Sequence, residues 1–224
     1  MHYTIIDQDV KLLTDPDVID NQFPYILEYA GRACTATEDK VGTGTDTMGF
    51  LKKLINSKHM SVFEHCSVTV ELTTSRAITH QLVRHRIAAY SQQSMRYVKF
   101  TTKGALKVIK PQGYDEWSEH AKDSHDGAMA RACGVYEMLI KDGLTAEVAR
   151  GVLPQDTATK LVATWNLREL LHILYDPHCG RYKNKHAQAQ VRELMTMLYN
   201  ELASESEFMK WLFETYENNT NNVQ

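Results

Sequence analysis

Proline, glycine and cysteine are all scarce in this sequence. Its 224 residues include 11 Gly and 5 Pro, with 43% hydrophobic and 24% charged residues. This is the composition of an ordinary globular protein, and it excludes collagen-like, fibrous and disordered classes. The chain is long enough to bury a large apolar core without covalent staples. We therefore expect a single folded domain over residues 1–217 and a polar, frayed tail over residues 218–224.

The four cysteines are scattered, and no two of them form a CxxC pair. This spacing argues against a disulfide framework and against a cysteine-rich zinc site, so we expect reduced thiols in a cytoplasmic protein. Long apolar runs are missing as well, because none approaches the roughly 18 to 20 residues of a membrane helix. The first residues lack a basic segment followed by a hydrophobic one. We expect neither a membrane partner nor export.

Several chemical motifs are absent. There is no G-x-G-x-x-G turn, GxxxxGK[ST] loop, HExxH helix or G-x-S-x-G elbow, and no H-x-E with P-C-x-x-C. The sequence therefore lacks the motifs that usually indicate Rossmann dinucleotide binding, P-loop hydrolysis, zincin proteolysis, serine esterase chemistry or base deamination. Ten histidines still permit a metal, and the densest cluster comprises His172, His178, Cys179 and His186. Its spacing fits no familiar zinc arrangement, so we predict no metal site.

Hydrophobic periodicity mixes helices and strands without regular alternation and without repeats, which predicts an α+β fold. Strands are predicted at residues 3–6, 68–73, 97–100 and 106–109, the last two around a Thr-Thr-Lys-Gly turn. Helices are predicted at residues 21–34, 48–57 with Thr47 as N-cap, 76–86, 114–141, 145–152, 168–175, 186–199 and 204–216. Ser204 and Glu207 have the form of a capping box.

Charge is unevenly distributed along the chain. The formal net charge is −3, yet residues 72–113 contain no Asp or Glu and eight cations, so this segment carries +8 and the rest carries −11. Tyr90, Tyr97 and Phe100 in the same segment could stack flat rings while the cations attract phosphate. A solvated basic face, a nucleotide site and a nucleic-acid-binding module all remain open.

Residues 81–97 are the richest in hydrogen-bond donors. They read QLVRHRIAAYSQQSMRY, which places Arg84, His85 and Arg86 together at a predicted helix end with amides and hydroxyls just beyond. Arginine can grip phosphate at two points, while Gln side chains and the Ser94 hydroxyl can match the polar edge of a pyrimidine. An exposed, Arg- and Gln-rich helix end is the purely structural alternative.

At this segment the sequence resembles a known family. The pattern RHR, seven residues and then Ser, met by residues 84–86 and Ser94, is the signature of the flavin-dependent thymidylate synthases. Further stretches resemble the family in the same order: HMSVFEH at 59–65, EVARGVLP at 147–154, NLR at 166–168 and HAQ at 186–188. Together these stretches extend over most of the chain.

The resemblance implies a fold and an activity. The fold would be α+β, with a mostly antiparallel sheet flanked by several helices, in a homotetramer whose active sites are shared between subunits. The activity would be reductive methylation of dUMP to dTMP in dTMP biosynthesis. Methylenetetrahydrofolate would donate the one-carbon unit, and NADPH would reduce a bound FAD. No nucleic-acid partner is expected on this interpretation.

The family's contacts carry over wherever the motifs match. The resemblance assigns one group to FAD: His59, Ser61, Arg84, His85, Arg86, Gln92, Asn166, Arg168 and His172. It assigns a second group to dUMP: Gln81, Arg84, Gln92, Gln93, Ser94, Arg96, Arg150 and Arg181. Arg181 is also the catalytic candidate, because a family arginine just before HAQ stabilises the uracil as its N3 ionises. A guanidinium stays charged at any working pH, which suits this role.

Some positions depart from the family's pattern. Ser91 and Gln92 stand where Asn and Glu are common, and His172 stands where Asn is common.

Two other functions stay open. A nucleic-acid-binding module using residues 72–113 predicts salt-sensitive oligonucleotide binding and a colourless protein. A thymidylate synthase with a cysteine nucleophile would need Cys beside Pro and His, and residues 177–179 have these types in the wrong order.

Overall fold

The computed structural model describes residues 3–44, 46–100 and 106–221, with the side chains of residues 220 and 221 excepted. The predicted Thr-Thr-Lys-Gly turn at residues 101–104 lies outside these ranges. Helices and an antiparallel sheet are both present, so the predicted α+β class is confirmed. In the described ranges, no helix combines the length and apolar character that crossing a membrane requires.

The chain divides into two compact units. Unit 1 is drawn from Met1–Asp9, Leu72–Arg84 and Tyr90–Val162. Unit 2 is drawn from Val10–Glu71, His85–Ala89 and Ala163–Gln224. Each unit is therefore assembled from segments distant in sequence. The single domain over residues 1–217 stays a prediction.

The strands form two sheets. The described strands are β1 Thr4–Ile6, β2 Asp9–Leu12, β3 Ser67–Ser75, β4 Ala88–Gln92, β5 Lys107–Ile109 and β6 Ala158–Asn166. β1 pairs in parallel with β5, with Ile5 opposite Val108. The other four strands are hydrogen-bonded in the order β2, β3, β6, β4. Alternate residues of β3 and β6 are buried, as expected for strands that present one face to a core.

Helices account for much of the remaining chain. The described α-helices are α1 Pro16–Ala33, α2 Thr47–Asn56, α3 Arg76–Leu82, α4 Glu119–Lys141, α5 Ala146–Ala149, α6 Leu167–Tyr175, α7 Ala189–Glu205 and α8 Glu207–Asn221. Within unit 2, α1, α2 and α8 pack against one another, and α7 packs on α8. α8 continues to Asn221, into the stretch predicted as a tail.

The first two helices begin at caps that the sequence analysis did not identify. Asp46 rather than Thr47 caps α2, because its carboxylate accepts the backbone N–H of Gly49 at 2.8 Å. α1 begins earlier than predicted because Asp15 accepts the N–H of Asp17 at 2.9 Å. The first residue of each helix is thus set by an aspartate side chain that caps the helix.

The predicted capping box at the start of α8 is wrong. The hydroxyl of Ser206 accepts the N–H of Met209 at 3.1 Å and therefore caps α8. Ser204 still belongs to α7, where its hydroxyl donates to the carbonyl of Glu201 at 3.1 Å. Only Ser206 lies between α7 and α8, so the residue that caps α8 directly follows the end of α7.

The signature segment differs most from its prediction. The helix predicted over residues 76–86 ends at Leu82, whose carbonyl accepts the hydroxyl of Tyr90 at 2.9 Å. Residues 84–86 therefore lie in the connection between α3 and β4 rather than at a helix end. β4 and β6 were not predicted, and the strand predicted over residues 97–100 is wrong, since those residues form turns and irregular structure.

Candidate functional site

In unit 2, the imidazole of His85 lies between the carboxylate of Glu169 and the guanidinium of Arg181. The Nδ1 atom of His85 lies 3.6 Å from Oε1 of Glu169, and the two side chains are only 6% and 8% exposed. On the other side of the ring, Nε of Arg181 donates to Nε2 of His85 at 3.4 Å. The ring of His172 meets that of His85 edge-on at 6.1 Å. Thus the structure brings together three predicted site residues and Glu169, which the sequence analysis missed.

The environment of His85 keeps its imidazole neutral. Burial, followed by the charges of Arg181 and His172, lowers the pKa of His85 to about 4. Because Nε2 accepts a hydrogen bond from Arg181, the proton of the neutral ring belongs on Nδ1, facing Glu169. Burial raises the pKa of Glu169. His85 is therefore suited to fixing its neighbours by hydrogen bonds rather than to binding an anion.

We expect His85 to be neutral and protonated on Nδ1 at pH 7. The ¹⁵N chemical shifts of its ring nitrogens, measured by NMR on labelled protein, report both properties. Glu169→Gln retains an acceptor and should preserve the tautomer, whereas Glu169→Leu should weaken the preference. An imidazolium at pH 7, or a proton on Nε2, would contradict this assignment.

Two of the family-like motifs meet in unit 2. Asn166 caps α6, accepting the N–H of Glu169 on its Oδ1 at 2.8 Å. Nη1 of Arg168 lies 2.5 Å from Oε1 of Glu64, and both side chains are about half exposed. His59 and Ser61 are exposed at the start of the same 59–65 motif. The predicted flavin contacts His59, Ser61 and Arg168 are thus surface groups, and Asn166 also has a structural role.

A tight turn after α6 positions Arg181. The carboxylate of Asp176 accepts two backbone N–H groups of the turn at 2.8 Å each, and its carbonyl accepts the N–H of Gly180 at 2.8 Å. The N–H of Arg181 then donates to the carbonyl of Ile173 at 2.6 Å. The turn therefore returns the chain to α6 and sets Arg181 beside His85.

Replacing Gly180 by Ala should disrupt this turn. A Cβ at position 180 would clash with the backbone carbonyl oxygen of Asp176, so the backbone must shift. We expect a loss of about 1–3 kcal/mol in the free energy of unfolding, as for overpacked sites, measured by urea denaturation. Gly134→Ala, in α4 with nothing within 4 Å of the added Cβ, is the control and should be neutral or stabilising. Equal losses in both variants would show that the close approach is unimportant.

Unit 1 contains most of the residues predicted to bind dUMP. The side-chain amide of Gln92 donates to the hydroxyls of Thr79 at 2.8 Å and Thr159 at 3.5 Å. Nη1 of Arg76 donates to the backbone carbonyl of Gln93 at 3.4 Å. Gln92 is therefore fixed within the unit, and its position is set by two threonines that the sequence analysis did not single out.

The remaining residues of this group are cationic or lie next to cations. Arg96 pairs through Nε with Glu147 at 2.9 Å, both about half exposed, and its N–H donates to the hydroxyl of Ser94 at 3.2 Å. Burial, and then the charge of Arg150, lowers the pKa of Arg76. Two guanidinium groups thus repel each other in unit 1. Arg76 was not a predicted contact, although it belongs to the basic segment identified in the sequence.

Exposure differs among the other predicted residues. Gln81 lies half-buried on α3, whereas Arg84 is exposed in unit 1. Arg86 is exposed in unit 2. In the RHR motif, the two arginines are therefore exposed and the histidine between them is buried.

Comparison with known proteins agrees with these motifs. The sequence model of the thymidylate synthase complementing protein family matches residues 19–206. This chain belongs to that family. A flavin-dependent thymidylate synthase from Geobacter sulfurreducens is 41% identical over 169 residues, which cover 75% of this chain and 69% of the relative. Another from Pyrococcus abyssi is 34% identical over 198 residues, covering 83% of this chain and 75% of the relative.

The fold of this family member is also similar to that of a solved structure. The UMP/dUMP methylase PolB from Streptomyces cacaoi, bound with 5-Br dUMP, superimposes with a TM-score of 0.77 and 23% sequence identity over 97% of each chain. This likeness concerns the fold. The resemblance to flavin-dependent thymidylate synthases drawn from the RHR signature is confirmed by the family match, and the relatives' name implies a flavin cofactor.

Proposed function

We propose that this protein is a flavin-dependent thymidylate synthase, which binds FAD and reductively methylates dUMP to dTMP. Methylenetetrahydrofolate would donate the carbon and NADPH the electrons. The observation that carries the proposal is the RHR signature, in which the buried, neutral His85 stands between the exposed Arg84 and Arg86. Neither guanidinium group forms an ion pair or a hydrogen bond within the part of the chain that the structure describes. Both guanidinium groups can therefore bind an anionic ligand.

The donors of unit 2 fit a flavin dinucleotide. Arg86 and Arg168 offer charged donors for its diphosphate, and the exposed His59 and Ser61 add neutral ones. Each charge-assisted hydrogen bond to phosphate contributes about 1.5–3 kcal/mol. When bound, the flavin supplies the hydride chemistry of the reaction. The role of this chain would be to bind, orient and polarise.

The donors of unit 1 fit a nucleoside monophosphate. Burial, and then the charge of Arg150, lowers the pKa of Arg76, and a phosphate bound beside both arginines would offset these effects by favouring the charged guanidinium. Gln93 and Ser94 carry the amide and hydroxyl groups that can pair with a pyrimidine edge. Gln92 would contact the ligand while its side-chain amide is held in place by hydrogen bonds to Thr79 and Thr159.

Arg181 would stabilise the uracil as negative charge develops. Its Nε donates to Nε2 of His85, which fixes the plane of the guanidinium, and its terminal Nη groups would stabilise the charge of the uracil. A preorganised cation of this kind lowers the energy of an anionic transition state without rearrangement. His85 thus orients Arg181, and His85 is in turn held beside Glu169.

The visible spectrum of the purified protein tests the proposal. We expect a yellow protein whose flavin absorbance bleaches with NADPH and shifts when dUMP is added. A colourless protein that FAD cannot reconstitute would overturn the proposal. If such a protein bound oligonucleotides in a salt-sensitive manner, residues 72–113 would instead be a nucleic-acid-binding surface. The homotetramer with shared sites and the cytoplasmic location also remain proposals, and light scattering measures the first.

A further inference from the structure

Three different types of metal ligand converge where α6 ends. His172, Asp176 and Cys179 each place one ligand atom within 4.8 Å of the other two. Sγ of Cys179 lies 3.2 Å from Nε2 of His172, and Oδ2 of Asp176 lies 3.4 Å from Nδ1 of His172. His172 lies in the last turn of α6, and Asp176 and Cys179 lie in the turn that follows the helix.

The carboxylate of this cluster is already oriented. Oδ1 of Asp176 accepts the backbone N–H groups of His178 and Cys179 at 2.8 Å each. The other oxygen, Oδ2, is thereby directed to His172. Outer hydrogen bonds of this kind hold the first ligands of metal sites in place and raise their affinity. The side chains of His172 and Asp176 are 43% and 25% exposed, so a hydrated ion can reach them.

We propose that His172, Asp176 and Cys179 bind a divalent cation of the Zn²⁺ class, which fastens the turn over residues 176–181 to α6. Imidazole, carboxylate and thiolate are the ligands of Zn²⁺, whereas Mg²⁺ and Ca²⁺ take oxygen ligands. Three protein ligands leave a fourth, tetrahedral position for water. Binding releases the thiol proton of Cys179 to solvent, because the thiolate is the ligand.

A neighbouring set of ligands suits a cation less well. His85, Glu169 and His172 also lie close enough together to share an ion. However, Nε2 of His85 accepts a hydrogen bond from the guanidinium of Arg181, and a fixed positive charge at 3.4 Å opposes a metal there. Both His85 and Glu169 are also buried. The set of His172, Asp176 and Cys179, whose members are exposed or half-buried, is therefore the proposed site.

The proposed site differs from the histidine and cysteine cluster that is densest in the sequence. That cluster comprises His172, His178, Cys179 and His186, and its spacing fits no familiar zinc arrangement. The structure keeps His172 with Cys179 and adds Asp176. Since carboxylates are frequent in any sequence, Asp176 gave no signal before the turn brought it to the two other ligands.

Zinc titration of the full-length protein, freed of metals by a chelator, tests this site. With ZnCl₂ competing against a chromophoric chelator, we expect one Zn²⁺ bound per chain. Changes to outer hydrogen-bond partners alone cost about 10–100-fold in metal affinity, so the loss of a direct ligand in Cys179→Ala or Asp176→Asn should cost at least as much. Cys179→Ala leaves the backbone bonds to Asp176 intact and decides the matter if Asp176→Asn does not fold. Co²⁺ should give a thiolate charge-transfer band that Cys179→Ala abolishes.

His178→Ala is the matched control. His178 is exposed and adjacent, but its side chain is outside the triad, so Zn²⁺ affinity should be unchanged. Failure to bind one Zn²⁺, or loss of binding in His178→Ala with retention in Cys179→Ala, would overturn the proposal. The titration needs neither flavin nor dUMP, so its failure and failure of the proposed function are distinguishable.

Discussion

Arg181→Ala is expected to lose most dTMP formation while keeping its flavin. The guanidinium is the group proposed to stabilise the ionising uracil, and removal of one such preorganised donor costs about 10²–10³-fold in kcat. The backbone N–H of Arg181 still bonds to Ile173, so the turn should survive the substitution. Turnover is measured as dTMP formed per bound flavin, with the flavin quantified by its visible absorbance.

Two further variants sharpen this test. Arg181→Lys retains the charge but loses the planar fork that Nε anchors on His85, so it should recover only part of the activity. Arg131→Ala removes an exposed arginine of α4 and should turn over within about twofold of the original protein, as expected for a surface change away from the site. Full activity of Arg181→Ala would refute the catalytic assignment.

Phe213→Ala is expected to cause the largest loss of stability. Phe213 is fully buried in α8 and stacks on Tyr199 at 4.9 Å between ring centroids. Tyr199 stacks in turn on Tyr182 at 4.9 Å and 10°, next to Arg181 in the chain. Truncation of a buried phenylalanine costs about 3–5 kcal/mol. Urea denaturation should show this loss as a lower midpoint.

The control for this substitution preserves apolar volume. Phe213→Leu keeps most of the packing and should cost less than about 1.5 kcal/mol. If the two variants unfolded at the same urea concentration, apolar volume at position 213 would not be what stabilises the packing of α8. Because Tyr182 is also the neighbour of Arg181, the Ala variant should lose activity at a lower temperature than the Leu variant.

Local patterns made several features predictable. The alternation of β3 and the apolar faces of α6 and α7 indicated their existence, because burial of one face imposes a period on the sequence. The excess of cations in residues 72–113 identified a basic segment, whose anionic ligand stays a prediction. Motif spacing indicated the family, which the match over residues 19–206 confirms. Exact caps were not predictable, since Asp46 and Thr47 are equally good cap residues in sequence.

Other features required distant segments to meet. β6 was not predicted although its burial alternates as that of β3 does, and only the structure places it between β3 and β4. Glu169 reads in sequence as one polar residue of an amphipathic helix, and only folding buries it beside His85. Asp176 likewise gained meaning only when its turn placed it against His172 and Cys179.

The sequence by itself determined the α+β class, the family and the basic segment, and its resemblance to the family supplied most residues of the proposed site. It did so because residue type and spacing along the chain record periodic burial and ligand chemistry directly. Only the tertiary structure showed that His85 is neutral, that Arg181 is oriented by His85 and that Arg76 and Arg150 repel each other. Protonation and hydrogen bonding depend on burial and on charges a few ångströms away, and for His85 those charges come from Arg181 and His172, distant in the chain.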